Sequence, residues 1–197
     1  MDPSSGYERV AAKFLAGRGR APSTAVGTTH VRNWARGLPR GAAVLDLGCG
    51  PGVPITKVLI DEGLDVYGVD AAPSLVAAFR RNFPKAAVAC ESVLESSFFD
   101  RTFDGVVAWG LMFLLQPAEQ RELVTKIGTA LAPGGRLLFT SPALPLSWHD
   151  IMTGLESRSL GAAEYRKLLS DAGVSVVAEY EDEGQNHYFD ALREPTT

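Results

Sequence analysis

The chain has 197 residues, of which 46% are hydrophobic and 21% are charged, a composition typical of globular proteins that excludes extended disorder, collagen and long coiled coils. Its 19 basic and 23 acidic residues give a net charge of −4, whereas a protein that binds nucleic acids usually carries an excess of lysine and arginine. We therefore expect a single domain without a nucleic-acid partner.

The cysteines and the apolar segments exclude further classes of protein. Cys49 and Cys90 lack the spacing of a metal site and are too few for a disulfide framework, so we expect no metal, and Cys90 is predicted to be a core residue at a strand end. The chain does not open with a basic segment and an apolar run, and its longest apolar stretch, residues 106–115, is shorter than the ~20 residues of a membrane helix. We expect a cytoplasmic protein without a membrane partner.

Two segments of helical periodicity come first, at residues 8–16 and 23–36, and Ser23 or Thr24 is the expected cap of the second. Arginines in and around these segments are predicted to form a solvated helix face, and the alternative is a clamp for an anionic substrate. These arginines are Arg18, Arg20, Arg32, Arg36 and Arg40.

From residue 43 onward, apolar strand-like runs alternate with helical segments. The predicted strands are residues 43–47, 65–69, 86–90, 103–109, 136–140, 174–180 and 187–192, and the predicted helices are residues 53–62, 74–82, 118–131 and 162–172. This alternation predicts a parallel sheet covered on both faces by helices. The last two strands are joined by a short polar turn, so the final strand is expected to run antiparallel. The predicted fold class is α/β, with a doubly wound, mostly parallel seven-stranded sheet of Rossmann-like type.

We interpret the whole chain, residues 1–197, as one domain. Residues 1–40 are expected to form a helical lid over a core made by residues 41–197. Residues 141–161 show neither helical nor strand periodicity, so we predict an irregular loop inserted in that core.

A glycine-rich turn at residues 48–52 follows the first strand of the predicted sheet and opens a helix. Ligands of open parallel sheets bind beyond the carboxyl ends of the strands, and glycine lets a ligand approach the backbone closely. Asp70 stands at the end of the next strand, where a carboxylate can accept hydrogen bonds from both hydroxyls of a ribose. The arrangement indicates a cofactor that contains adenosine.

The spacing of the glycines bears on the identity of that cofactor. The turn reads G-x-G-x-G, whereas dinucleotide-binding turns read G-x-G-x-x-G. Asp46, two residues before the turn, suits a ligand with positive charge better than a pyrophosphate. A sulfonium with an amino-acid tail therefore fits better than a nicotinamide dinucleotide, although an oxidoreductase that uses the latter stays an alternative.

Five segments in order along the chain resemble motifs of the class I S-adenosylmethionine-dependent methyltransferases. They are VLDLGCGPG at residues 44–52, YGVD at 67–70, CESV at 90–93, FDGVVAW at 103–109 and LAPGGRLL at 131–138. The resemblance spans about residues 40–140 and the final hairpin. It implies the strand order 3-2-1-4-5-7-6, S-adenosylmethionine as cofactor, and transfer of its methyl group to a small molecule. A domain that binds the cofactor without catalysis is a further alternative.

The resemblance also implies the roles of individual residues at the cofactor. The glycines of the turn make room for the methionine and ribose parts, Asp46 lies near the amino group, and Asp70 binds the ribose. Ala71 packs on the adenine, and Trp109 lies beside the transferable methyl. The residues expected at the cofactor are Asp46, Gly48, Cys49, Gly50, Gly52, Asp70, Ala71, Glu91, Ser92, Val93 and Trp109.

The acceptor side is indicated less directly. A general base is needed only where the acceptor must lose a proton, and His187 and His149 are the candidates because both follow strands at the ligand edge of the sheet. The residues expected to contact the acceptor are His30, Trp109, Met112, Trp148 and Tyr188. The apolar run at 109–115 is expected to form an aromatic wall beside the sulfonium or an apolar substrate, and core packing under the following helix is the alternative.

Enzymes of this fold that methylate amino groups of nucleic acids usually carry Asp, Asn or Ser followed by Pro-Pro-aromatic after strand four. This chain reads AWGL there, so a nucleic-acid acceptor is not expected. The sequence does not indicate an oligomeric state.

Overall fold

The computed structural model describes residues 2–17 and 26–195. The helices are α1 (Tyr7–Ala16), α2 (Thr28–Ala35), α3 (Ile55–Asp61), α4 (Pro73–Asn82), α5 (Pro117–Ala130) and α6 (Ala162–Asp171). The strands are β1 (Ala43–Leu47), β2 (Asp65–Asp70), β3 (Ala87–Cys90), β4 (Phe103–Ala108), β5 (Leu131–Thr140), β6 (Leu146–His149), β7 (Glu156–Ser159), β8 (Val174–Glu181) and β9 (His187–Arg193).

Seven of these strands form one sheet in the order β3-β2-β1-β4-β5-β9-β8, and β6 pairs with β7 in a separate hairpin. The strands from β3 to β5 run parallel, whereas β9 is antiparallel to both β5 and β8. Counted within the sheet, this is the predicted order 3-2-1-4-5-7-6. The doubly wound α/β class predicted from the sequence is confirmed.

Helices cover both faces of the sheet, as the apolar sequence of β1 requires. All five residues of β1 are buried. Leu45 and Leu47 pack with α5 and α6 on one face, whereas Val44 packs with α2 and α3 on the other. Successive side chains of a strand point to opposite faces, so a continuously apolar strand belongs between two layers of helices.

The helix α1 adds a smaller contact outside these two layers. Ala11 of α1 packs against Ala72 and Leu75 near the start of α4. Glu8 of α1 accepts hydrogen bonds from the backbone N–H and the hydroxyl of Ser74, at 2.9 and 2.6 Å. A carboxylate at a helix N-terminus satisfies free N–H groups and interacts favourably with the helix dipole, so this contact fixes α1 beside α4.

Three expectations about local structure need correction. The loop predicted at 141–161 contains the hairpin of β6 and β7, whose four-residue strands are too short to show a period. β5 begins at Leu131 rather than at residue 136, because Leu131 pairs with Phe103 across an irregularity in the ladder. Cys90, predicted to be a core residue, is exposed because β3 lies at the edge of the sheet.

The predicted second helix begins only at Thr28, and its expected caps Ser23 and Thr24 lie outside the described residues. Within residues 2–17 and 26–195, no helix has the length and apolar character needed to cross a bilayer.

Candidate active site

A cavity of about 700 Å³ lies at the carboxyl end of the parallel strands. Its walls come from the turn after β1, the segments that follow β4 and β5, the β6–β7 hairpin, the β8–β9 turn and α1. Ligands of open α/β sheets bind in this position, because the strand ends and helix N-termini converge there. We therefore take the cavity as the candidate active site.

The glycine-rich turn presents bare backbone to this cavity. Gly50 has φ +54, and a Cβ on it would meet nothing closer than the ring of Phe14 at 3.9 Å. Gly52 has φ +80, but a Cβ there would lie 2.4 Å from the ring of Phe83, and Gly52 is not part of the cavity wall. Gly50 thus leaves space for a ligand, whereas Gly52 leaves space for a neighbouring side chain.

We expect Gly52→Ala to lower the free energy of unfolding by about 2 kcal/mol, of which about half is backbone strain and the rest the displacement of Phe83. Gly134→Ala is the matched control, since Gly134 has φ +77 and open space around its Cβ position. Urea unfolding followed by circular dichroism measures both variants. Equal destabilisation of the two proteins would show that contact with Phe83 contributes nothing.

Asp70 ends β2 and lines the cavity. One of its carboxylate oxygens accepts the backbone N–H of Gly50 and the other that of Ala72, each at 2.8 Å. Burial raises the pKa of Asp70, and these two hydrogen bonds oppose that shift. A carboxylate has about four lone-pair positions, so Asp70 can accept hydroxyl groups of a ligand while it holds the turn.

Asp46 is the penultimate residue of β1 and is only 2% exposed. Thr56 at the start of α3 donates its hydroxyl to Asp46 at 2.5 Å. Burial raises the pKa of Asp46 to about 7, an effect that the Thr56 hydrogen bond reduces and the charge of Asp70 increases. A cationic ligand beside Asp46 would favour its ionised form, because opposite charges lower the pKa of a carboxyl group.

Trp109 lines the cavity just beyond β4, and its orientation is fixed by hydrogen bonds to residues outside the cavity wall. Its indole N–H donates to the Tyr188 hydroxyl at 2.7 Å, and that hydroxyl donates to Asp182 at 2.9 Å. Asp182 in turn accepts backbone N–H groups of Gly184 and Asn186 in the β8–β9 turn. Tyr188 is fully buried and is not part of the cavity wall, so it supports Trp109 rather than reaching a ligand.

Both candidate bases reach the cavity. His187 lies in its wall, with Nε2 2.9 Å from a carboxylate oxygen of Glu179 and Nδ1 3.8 Å from Glu181. Glu179 also pairs with Arg166, so it is an oriented anion that can fix the imidazole ring. His149 is exposed at the end of β6, opposite Glu156 in the hairpin, and also lines the cavity.

The structure does not bring every predicted site residue to the cavity. Met112 is 1% exposed in the core beneath α5, so its assignment to the acceptor site is corrected. It lies in a 3-10 turn, Met112–Leu114, which directs it inward while neighbouring residues of the turn line the cavity. His30 stacks on Tyr180 and lies tilted against Tyr188, with ring centroids 4.8 and 5.4 Å away, and it is not part of the cavity wall.

Of the three residues Glu91, Ser92 and Val93 expected at the cofactor, the structure brings one to the cavity. Val93 lines the cavity, whereas Glu91 and Ser92 lie outside its wall, and their contact with the cofactor stays a prediction. The Ser92 hydroxyl accepts the backbone N–H of Leu94 at 3.2 Å, so this side chain stabilises its own turn. Gly48, Cys49, Ala71 and Trp148 are part of the cavity wall, and their contact with a ligand stays a prediction.

The arginines contact other parts of the surface. Arg32 and Arg36 pair with Glu62 at 2.9 and 3.0 Å, which fastens α2 to the end of α3. Neither residue lines the cavity, and Arg40 lies against Gly63. Arg18 and Arg20 lie outside the described residues.

Sequence reasoning missed several residues of the wall. Tyr7 and Phe14 of α1 line the cavity, and their separation of seven residues, which places both on one helix face, could have shown that they act together. Phe113, Ile151 and Met152 also line it, from the turn after β4 and from the hairpin that was predicted as a loop.

Comparisons with known proteins agree with this geometry. A family model described as "Methyltransferase domain" matches residues 44–135. An uncharacterized methyltransferase of Mycobacterium tuberculosis is 29% identical over 137 residues, which cover 69% of this chain and 51% of that protein. A cypemycin N-terminal methyltransferase of Streptomyces sp is 37% identical over 108 residues, covering 52% of this chain and 44% of that protein. The chain thus spans about half the length of these curated relatives.

A solved structure shows the same fold. The S-adenosylmethionine-bound amino pentose methyltransferase CalS10 from Micromonospora echinaspora is similar with a TM-score of 0.71 at 20% identity, over 93% of this chain and 96% of that chain. The family model covers the segments from the glycine-rich turn to the turn within β5, and the fold agrees with the strand order of the sheet. Residues 44–135 thus match a methyltransferase domain, and the fold of this chain is similar to that of an S-adenosylmethionine-bound methyltransferase.

Proposed function

We propose that this protein transfers the methyl group of S-adenosylmethionine to a small-molecule acceptor by in-line displacement. The observation that carries the proposal is one cavity that joins the bare backbone at Gly50, the carboxylates of Asp46 and Asp70, and a second half lined by aromatic side chains and two imidazoles. Its volume of about 700 Å³ lies within the range of pockets that enclose small ligands.

The residues of the first half fit this cofactor. Asp46 is a buried carboxylate whose natural partner is the α-ammonium group, and Asp70 accepts the ribose hydroxyls. Ala71, Val93 and Leu75 offer apolar surface to the adenine. When bound, S-adenosylmethionine supplies an electrophilic methyl group on a sulfonium that is already a good leaving group.

The chain's contribution to the reaction is alignment and exclusion of water. An enclosed cavity that fixes nucleophile, carbon and sulfur in line lowers the entropic part of the barrier. Trp109, at the junction of the two halves, presents an aromatic surface to which a sulfonium is attracted. His187, oriented by Glu179, is our first candidate to accept a proton where the acceptor must lose one, and His149 is the second.

Two measurements test the proposed function. Calorimetric titration with S-adenosylhomocysteine and with NAD should show binding of the first only, and NAD binding would favour an oxidoreductase. Incubation with methyl-labelled S-adenosylmethionine and a metabolite extract should then yield a labelled small molecule. Binding of S-adenosylhomocysteine without label transfer to any fraction would instead support a domain that only binds the cofactor.

The support of Trp109 by Tyr188 leads to a prediction about selectivity for the cofactor. Tyr188→Phe removes the hydroxyl that accepts the indole N–H, so Trp109 loses its fixed orientation. We expect affinity for S-adenosylmethionine to fall about fivefold, because cation–π contacts depend on ring geometry, while affinity for the uncharged S-adenosylhomocysteine changes little.

Calorimetry with both ligands measures this ratio. Tyr180→Phe is the matched control, because the Tyr180 ring stacks on Tyr188 while its hydroxyl takes no part in the hydrogen bonds that join Trp109, Tyr188 and Asp182. A loss of equal size for both ligands would contradict selective recognition of the sulfonium by Trp109.

A further inference from the structure

The half of the cavity away from the glycine-rich turn has a largely apolar wall. It is built by Phe113 and Leu114 from the segment after β4, and by Trp148, Ile151 and Met152 from the β6–β7 hairpin. Phe113 and Trp148 meet with ring centroids 5.3 Å apart at 50°. Since two separate elements converge on one aromatic contact, this wall, which we call the acceptor wall, is a built surface.

Exposed apolar side chains are concentrated in and just before the same hairpin. Ile151 is 89% exposed and Leu144 69%, and Leu146 and Leu155 are 42% and 44% exposed. Of the six exposed large hydrophobic side chains among the described residues, these four belong to the segment 144–155. Exposed apolar side chains concentrated in a segment that also lines a cavity are typical of a ligand-binding surface, and they favour a ligand whose apolar body extends past the cavity mouth.

Apart from the imidazoles of His149 and His187, the ionisable side chains described in the cavity wall are carboxyl groups and the thiol of Cys49 and the phenol of Tyr7. Asp46, Asp70 and Asp150 line it, whereas neither lysine nor arginine occurs among the lining residues that the structure describes. Asp150 accepts two backbone N–H groups, of Met152 and Thr153, and the Thr153 hydroxyl. These hydrogen bonds favour its ionised form.

An anionic acceptor is therefore disfavoured. Among residues 2–17 and 26–195, a carboxylate or phosphate in this cavity would lose water without gaining a guanidinium or ammonium partner, and it would lie near carboxyl groups. His187 does not change this conclusion, since its Nε2 lies 2.9 Å from the carboxylate of Glu179, which is already its anionic partner.

We propose that the acceptor is an apolar, ring-bearing molecule without an anionic group, bound against Phe113 and Trp148 with its remaining body on the hairpin. This inference rests on the proposed function and narrows its substrate class. The opposite case, an anionic acceptor held by Arg18 and Arg20, is an outcome of the test.

The test uses two fluorescent probes with the same ring skeleton. The protein, saturated with S-adenosylhomocysteine, is titrated with uncharged N-phenyl-1-naphthylamine and with its sulfonate, 8-anilinonaphthalene-1-sulfonate. We expect the uncharged probe to bind about tenfold more tightly. Trp148→Ala should weaken that binding about fivefold, while the control Val177→Ala, on the exposed face of β8, should leave it unchanged.

Trp148→Leu, which retains an apolar side chain, accompanies Trp148→Ala in case the smaller residue disturbs the hairpin. The affinity of each variant for S-adenosylhomocysteine reports whether the cofactor half of the cavity is intact. Equal or tighter binding of the sulfonate would overturn the proposal, and its loss in Arg18→Ala and Arg20→Ala would establish the anionic case. Binding of the uncharged probe that both Trp148 variants leave unchanged, or no binding of that probe, would also overturn it. Because S-adenosylhomocysteine binding is measured separately, these failures are distinct from failure of the proposed function.

Discussion

Asp70→Ala is expected to weaken the binding of S-adenosylhomocysteine on the order of 100-fold, because two hydrogen bonds from ribose hydroxyls to a carboxylate are lost. The effect is large because Asp70 also holds the glycine-rich turn through the backbone N–H of Gly50. Removing the carboxylate therefore loosens the surface on which the rest of the ligand lies. Isothermal titration calorimetry at neutral pH measures the change.

The matched control for this variant is Asp65→Ala, which removes a carboxylate at the exposed, opposite end of the same strand. It should leave the affinity for S-adenosylhomocysteine unchanged. Asp70→Asn retains one carbonyl acceptor and should lie between the wild type and Asp70→Ala. Wild-type affinity in Asp70→Ala would show that the sugar is bound elsewhere, and the assignment of the cofactor to this end of the sheet would be wrong.

The second prediction concerns pH. Burial raises the pKa of Asp46 to about 7, and an ammonium group binds the ionised carboxylate. As the pH is raised toward 7, affinity for S-adenosylhomocysteine should therefore increase about tenfold per pH unit, and above pH 7 it should level off. Binding at pH 6 should release a proton. Calorimetry in two buffers of different ionisation enthalpy detects that release directly.

The stability of the ligand-free protein should change with pH in the direction opposite to its affinity for the ligand. The pKa of Asp46 in the fold lies above its ordinary value of 3.8, so the folded protein holds more protons than the unfolded chain between these two values. Through Asp46, the ligand-free protein thus becomes less stable as pH rises across this window, while its affinity for the ligand increases.

Two variants check the assignment of this titration to Asp46. Asp46→Asn should bind the ligand weakly and show no pH dependence in this range. Thr56→Val removes the hydrogen bond that lowers the pKa of Asp46, so the pH at which affinity levels off should move upward. An unchanged pH profile in Asp46→Asn would assign the titration to another group.

Most of the fold and the cofactor half of the site could be predicted from local sequence patterns. The alternation of strands and helices and the glycine-rich turn each occupy a few consecutive residues, and Asp70 follows from the end of a strand. The hairpin of β6 and β7 could not be found in this way, because contacts distant in sequence hold it. Gln120 of α5 donates to the backbone carbonyls of Leu115 and Arg158, each at 2.8 Å, which ties the hairpin to the segment after β4.

The acceptor half depends on the same distant contacts. Met112 and Phe113 are adjacent apolar residues that composition cannot distinguish, yet the 3-10 turn buries the first and turns the second to the cavity. Tyr188 carries a ring and a hydroxyl suited to a ligand, but its position beside β5 places it behind Trp109. Which side of a wall a residue occupies is decided by tertiary packing, not by its own chemistry.

The contact of Glu8 with Ser74 has a consequence for the kinetics of this protein. A nucleoside on the backbone of Gly50 would lie beneath Phe14 of α1, and α1 is fastened to α4 through that carboxylate. We expect ligand exchange to require this fastening to open, so that the residence time of the spent product, rather than the speed of methyl transfer, limits turnover. The opening of α1 would then set the rate of the catalytic cycle.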